Sequence, residues 1–151
     1  MYGARTAERA GRRAAAAGRH VTIAYWCILA ALLLPYIFSV LSRTGARKAD
    51  YVRDPRSFNE QLSGWHRRSH LAQLNAFEAF PAFAVAVLIA HLAGVPQARL
   101  DLTAVIFIGF RVLHGVSYIT DRASLRSASW QAGMICIIAL FIFSGLETRG
   151  S

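Results

Sequence analysis

The sequence predicts an all-α fold, an integral membrane bundle of four helices, and three observations carry that reading. Val21 to Leu41 and Ala128 to Leu146 contain no charged residue. As helices rising about 1.5 Å per residue, both are long enough to cross a hydrocarbon core of about 30 Å. Two further stretches, Leu71–Val95 and Leu102–Ile119, are as apolar apart from a few polar side chains. The basic residues, finally, gather in the flanks and connections. Seven of the 17 Lys and Arg lie between Arg43 and Arg68, and five precede Val21. That is where side chains meet phospholipid headgroups. A chain of 151 residues holds one domain, and a water-soluble core of that size has no need of four such runs.

The formal charge of +9 raises a nucleic-acid reading, but no zinc-finger, helix-turn-helix or RNP pattern accompanies it. Nucleic acid is therefore not an expected partner. Cys27 and Cys136 each fall near the middle of an apolar run and form neither a metal-ligand spacing nor a disulfide framework. Both read as small packing residues, and no metal is expected.

Residues 1–20 form an Ala- and Arg-rich basic arm. The apolar run after it is longer than a typical signal-peptide core, and no small-x-small cleavage site follows before Arg43. A disordered or surface-lying arm is expected, with an Arg-rich transit peptide as the alternative. Residues 21–147 form the membrane domain, and 148–151 a tail. The first helix, about 21–42, contains Pro35, which frees the carbonyl of Ala31 and predicts a bend. Tyr25, Trp26 and Tyr36 suit the interfaces. Residues 43–64 are polar and turn-rich, with Asp54-Pro55 and Ser63-Gly64. The second helix, about 66–93, carries Pro81 one turn after Glu78, which predicts a kink. Gly94-Val95-Pro96 is a short stop, so the second and third helices form an antiparallel hairpin. The third helix covers about 100–120 and the fourth about 126–146.

The polar residues inside these runs carry the functional reading. On a helical wheel Arg67, Arg68, Leu71, Asn75 and Glu78 fall within an arc of about 100°. An acidic residue at mid-membrane costs roughly 2.5–3.5 kcal/mol, so it faces protein and has a partner. Arg111, His114 and Tyr118, spaced i, i+3, i+7 on the third helix, share one face. Arg111 is the natural partner for Glu78, since pairing removes both penalties. A fixed pair that only locks helices together is the plainer alternative to a polar site in the bundle. Likewise His114 is either a hydrogen-bonded packing residue or part of a site, and its place beside Arg111 and Tyr118 favours the second. His20 and His91 lack such company. Arg126 and Ser127 stand at a membrane boundary, on the side of the Arg43–Arg68 connection. Arg126 is either a snorkelling anchor or a cation set over a reactive anion.

The set Arg68…Asn75-x-x-Glu78-x-x-Pro81-x-Phe83, then Arg111-x-x-His114-x-x-x-Tyr118, then Arg126-Ser127, resembles the MAPEG family, the membrane-associated proteins in eicosanoid and glutathione metabolism. The resemblance covers about residues 20–146 in the right helix order. It implies a homotrimer with glutathione, as cosubstrate, bound between neighbouring subunits near the cytoplasmic boundary. It further implies that Asn75 and Glu78 help hold the tripeptide, that Arg68 and Gln73 belong to the same site or its rim, and that Arg111 pairs with Glu78. Tyr118, with His114 beside it, contacts glutathione. Arg126 stabilises the thiolate, and Ser127 is a second donor. Two departures stand out. Leu71 occupies a position where many members carry a glutathione-binding arginine, and Trp130 one where the prostaglandin synthase carries tyrosine. The expected function is a glutathione transferase or peroxidase acting on a lipophilic small molecule. A non-catalytic scaffold of the five-lipoxygenase-activating type is the alternative. The expected setting is a bacterial inner membrane, in contact with its lipids, the site facing the cytoplasm.

Overall fold

The structure is a computed structural model that describes residues 21–150, so the expected arm at residues 1–20 and His20 within it lie outside the described residues. Six helices follow one another: α1 (Ile23–Ser42), α2 (Lys48–Arg53), α3 (Pro55–Glu60), α4 (Gly64–Leu92), α5 (Gln97–Ile119) and α6 (Ala123–Gly150). The fold is all-α, and α1, α4, α5 and α6 are each long and apolar enough to cross a membrane. α1 continues through Pro35 and α4 through Pro81 without ending. The polar connection expected between the first two spans holds two short helices, α2 and α3, instead of turns alone. Asp54 starts α3, its carboxylate accepting from the Ser57 N–H at 3.1 Å with Pro55 in the first turn. Gly94, with φ of 79°, takes the left-handed conformation that closes α4 and turns the chain into α5.

The hairpin of α4 and α5 forms the middle of the bundle. α1 packs on both of its helices and α6 also packs on both, from the other side. The interior is built from small residues on these faces. Ala24, Ala31, Ala86, Ala90 and Ala104 let the helices approach, and Phe83 and Phe107 stack between them with ring centroids 3.9 Å apart and planes 9° from parallel. A second cluster nearer the end of α1 joins Phe38, Ala72 and Ala76 to Tyr118 and Ile119. Here α5 presents Gly115 to the Phe38 ring, and a β-carbon at that position would overlap Phe38 Cζ. Cys27 and Cys136 are free thiols buried in the first cluster.

Polar ties close the two ends of the bundle. At the end away from Arg126, the Asp101 carboxylate of α5 accepts from the Ala24 N–H of α1 at 2.8 Å. It thereby satisfies one of the amides that every helix start leaves unpaired. It also accepts from Gln97 Nε2 at 2.8 Å, while Arg99 reaches Glu147 of α6 at 3.4 Å. At the opposite end His66 Nε2 meets the Thr44 carbonyl at 2.9 Å, joining α4 to the turn after α1.

Candidate functional site

Between the two apolar clusters lies a band of polar side chains carried by α4, α5 and the start of α6. Arg111 is 4% exposed, so its guanidinium must find acceptors inside the protein. It donates through Nη2 to Asn75 twice, to the backbone carbonyl at 3.1 Å and to Oδ1 at 2.7 Å. The other end of the same amide, Asn75 Nδ2, donates to Glu78 Oε2 at 3.5 Å. The direct Glu78–Arg111 pair expected from the sequence is thus replaced by a relay through Asn75. The reason lies in how α4 is turned. Counting about 100° per residue from the buried face that Ala72, Ala76 and Phe83 define, Asn75 stands about 80° away and Glu78 about 140°. Glu78 is accordingly exposed on the protomer. An amide is the side chain that accepts from a guanidinium and donates to a carboxylate at once.

His114 is also buried, at 3% exposure. Its Nδ1 lies 3.0 Å from the backbone carbonyl of Arg126. A carbonyl only accepts, so Nδ1 carries the proton and Nε2 of the neutral ring is an acceptor. Nε2 is buried and has no partner among the described residues. The His114 and Tyr118 rings meet edge to face at 5.7 Å, and the Arg126 guanidinium lies 4.6 Å from the centre of the Tyr118 ring. One helical turn of α5 therefore holds the start of α6 in place, through a hydrogen bond to its backbone and a ring under its cation.

These residues line a cleft of about 350 Å³ walled by Asn75, His114, Tyr118, Arg126 and Ser127, with Trp130 and Gln131 continuing the α6 side. The structure thus brings together five of the nine expected site residues around one space. Arg111 supports the cleft from behind through Asn75, and Glu78 lies at the outer end of the relay. Arg68 and Gln73 do not line it. Arg68 Nε donates to the Ile119 carbonyl at 2.9 Å, and its Nη1 lies 3.8 Å from Asp121. It caps the C-terminus of α5, where the helix dipole favours a cation. Gln73 Oε1 meets His70 Nδ1 at 3.4 Å. Sequence reading did not assign Trp130 and Gln131 to the site. The signal was present: 126, 127, 130 and 131 follow the i, i+1, i+4, i+5 pattern of one helix face.

Chemically, the cleft offers a guanidinium with no carboxylate paired to it among the described residues, a hydroxyl, a buried acceptor nitrogen and an aromatic wall. Such a set suits a small anion flanked by polar groups. No individual curated protein matches the chain. The family model for MAPEG, however, matches residues 23–146, all but the two ends of the described bundle. The chain is therefore an integral, multi-pass membrane protein that belongs to the MAPEG family.

Proposed function

We propose that this protein is a membrane glutathione transferase, or a peroxidase of the same design, which holds glutathione in the Arg126 cleft and activates its thiol. Membership of a family tied to glutathione metabolism supports the cofactor. The observation that carries the reading is the Arg126 guanidinium, turned to a cleft and free of any carboxylate partner among the described residues. A free thiol has a pKa near 8.5, so only a few per cent is thiolate at neutral pH. A guanidinium beside the sulfur favours the anion, and a tenfold gain in the thiolate-to-thiol ratio takes about 1.4 kcal/mol. Ser127 donates a second hydrogen bond to the sulfur. His114 Nε2 accepts from an N–H of the peptide, and Tyr118 keeps the Arg126 cation in register.

In the transferase reaction the thiol proton passes to solvent, a carbon–sulfur bond forms, and the leaving group departs from the electrophile. With a lipid hydroperoxide, two glutathiones are oxidised to their disulfide while the peroxide becomes an alcohol and water. The lipophilic electrophile enters from the bilayer along Trp130. We place the protein in a bacterial inner membrane, as a homotrimer with the cleft facing the cytoplasm. A neighbouring protomer supplies cover for Glu78, which a single protomer leaves at lipid depth.

The test is glutathione titration of the detergent-purified protein with an aryl halide as electrophile. Saturable turnover is expected, with thiolate absorbance that disappears in Arg126→Ala. If millimolar glutathione fails to bind, the assignment falls. One feature favours a second reading as a non-catalytic binder: Leu71 stands where the resemblance calls for a glutathione-binding arginine. Tight glutathione binding without thiolate absorbance supports that reading over catalysis.

A further inference from the structure

The α6 wall of the cleft holds a polar group that activation of the thiol does not use. Gln131 is the one amide side chain between Ala128 and Leu146, a stretch with no charged residue. The serines of that stretch satisfy their hydroxyls on their own helix. Ser129 Oγ donates to the Leu125 carbonyl at 2.7 Å, and Ser144 Oγ to the Leu140 carbonyl at 2.7 Å. Gln131 instead lines the cleft beside Trp130 and makes no hydrogen bond among the described residues. An amide turned away from bulk water keeps an unmet donor at a cost, so a group on a bound molecule is its natural partner.

Depth decides which molecule that is. α6 starts at Ala123, and Gln131 stands one turn beyond Ser127, about 6 Å further along the axis towards the apolar span. It neighbours the indole of Trp130, on the side from which an apolar reactant arrives. We propose, resting on the transferase reading of this cleft, that Gln131 is a catalytic residue facing the electrophile and that it selects conjugated lipid aldehydes and ketones. The flat conjugated system lies on Trp130, the sulfur held by Arg126 and Ser127 attacks the β-carbon, and Gln131 Nε2 donates to the carbonyl oxygen. A carbon–sulfur bond forms, the carbon–carbon π pair shifts to make an enolate, and a proton from water adds at the α-carbon. Nothing leaves, and no oxidant or reductant is required. Negative charge develops on an oxygen remote from the attacked carbon, which suits a donor set one turn away from the groups that hold the sulfur. A saturated epoxide lacks the flat face for Trp130, and a benzyl halide lacks the oxygen for Gln131.

The full-length protein in detergent with saturating glutathione, assayed with benzylideneacetone as the conjugated ketone and benzyl chloride as the oxygen-free control, tests this. Gln131→Met keeps the volume and removes the donor. It is expected to lower the ratio of kcat/KM for the ketone to kcat/KM for the halide at least about 10-fold, with the loss in kcat for the ketone, because a missing oxyanion donor is felt in the transition state. An equal fall for both substrates overturns the proposal and makes the amide part of the scaffold. Weaker glutathione binding in the variant, with the ratio unchanged, overturns it as well and gives the amide to the peptide. Turnover of benzyl chloride without turnover of the ketone removes this proposal and leaves the transferase reading standing, whereas turnover of neither removes both.

Discussion

Replacing Asn75 by leucine keeps the volume and removes both ends of the amide, leaving Arg111 with one backbone carbonyl and Glu78 with no donor. A buried polar group stripped of a partner costs about 1–3 kcal/mol, so Asn75→Leu should lower the unfolding temperature in detergent clearly. An unchanged midpoint would mean that Arg111 finds other acceptors. By the same reasoning Arg111→Ala should reduce yield or thermal stability more than Arg126→Ala, because Arg111 is 4% exposed and Arg126 is only partly buried. Equal yields would remove the structural role assigned to Arg111. Arg126→Ala should instead lower glutathione turnover at neutral pH by about 10- to 100-fold, as the bound thiol returns towards its ordinary pKa and the thiolate fraction falls. A loss of protein with no change in turnover per mole would reverse that assignment. Of this chemistry the sequence displayed the residue types and the shared face of Arg111, His114 and Tyr118. It did not display the relay, since a wheel groups Asn75 with Glu78 and leaves unstated which of them looks inward.

For the helices as units, the approach of α1 to α5 turns on one missing side chain. Gly115 faces the Phe38 ring, and any β-carbon there overlaps it. Gly115→Ala should therefore destabilise by about 1–3 kcal/mol, the usual penalty for overpacking. The double variant Gly115→Ala with Phe38→Ala should lose less than the sum of the two single changes, as read by thermal unfolding. Strict additivity would show that the two residues do not meet. Two charge-free runs and two others interrupted by few polar residues made the four spans plain in the sequence, because length and hydropathy suffice for that. Arg68 was less transparent. It reads as part of a basic rim, and its job at the Ile119 carbonyl emerges only when the hairpin brings the beginning of α4 beside the end of α5. Asp101 is similar: nothing in its neighbourhood along the chain announces that it caps α1.

Taken whole, the protomer leaves Glu78 on its surface well below the polar start of α4. An acid facing acyl chains there carries a penalty of roughly 2.5–3.5 kcal/mol, and the homotrimer proposed above removes it. Light scattering of the detergent complex, corrected for bound detergent, should give three protomers, and Glu78→Leu should not raise that number. A monomer that binds glutathione would end the proposal of a site shared between subunits. Membership of the family was visible in the order of the polar motifs, whereas the number of subunits has no counterpart in any helix face.

The twofold bond from Arg111 to Asn75 also gives the band a polarity that cannot be inverted. An amide can rotate by half a turn and exchange its ends, so a simple three-member chain would tolerate trading the acid and the base. The backbone carbonyl of Asn75 cannot rotate. A protein with both changes, Arg111→Glu and Glu78→Arg, would set a carboxylate against that fixed oxygen, and charge reversal should fail where charge conservation succeeds.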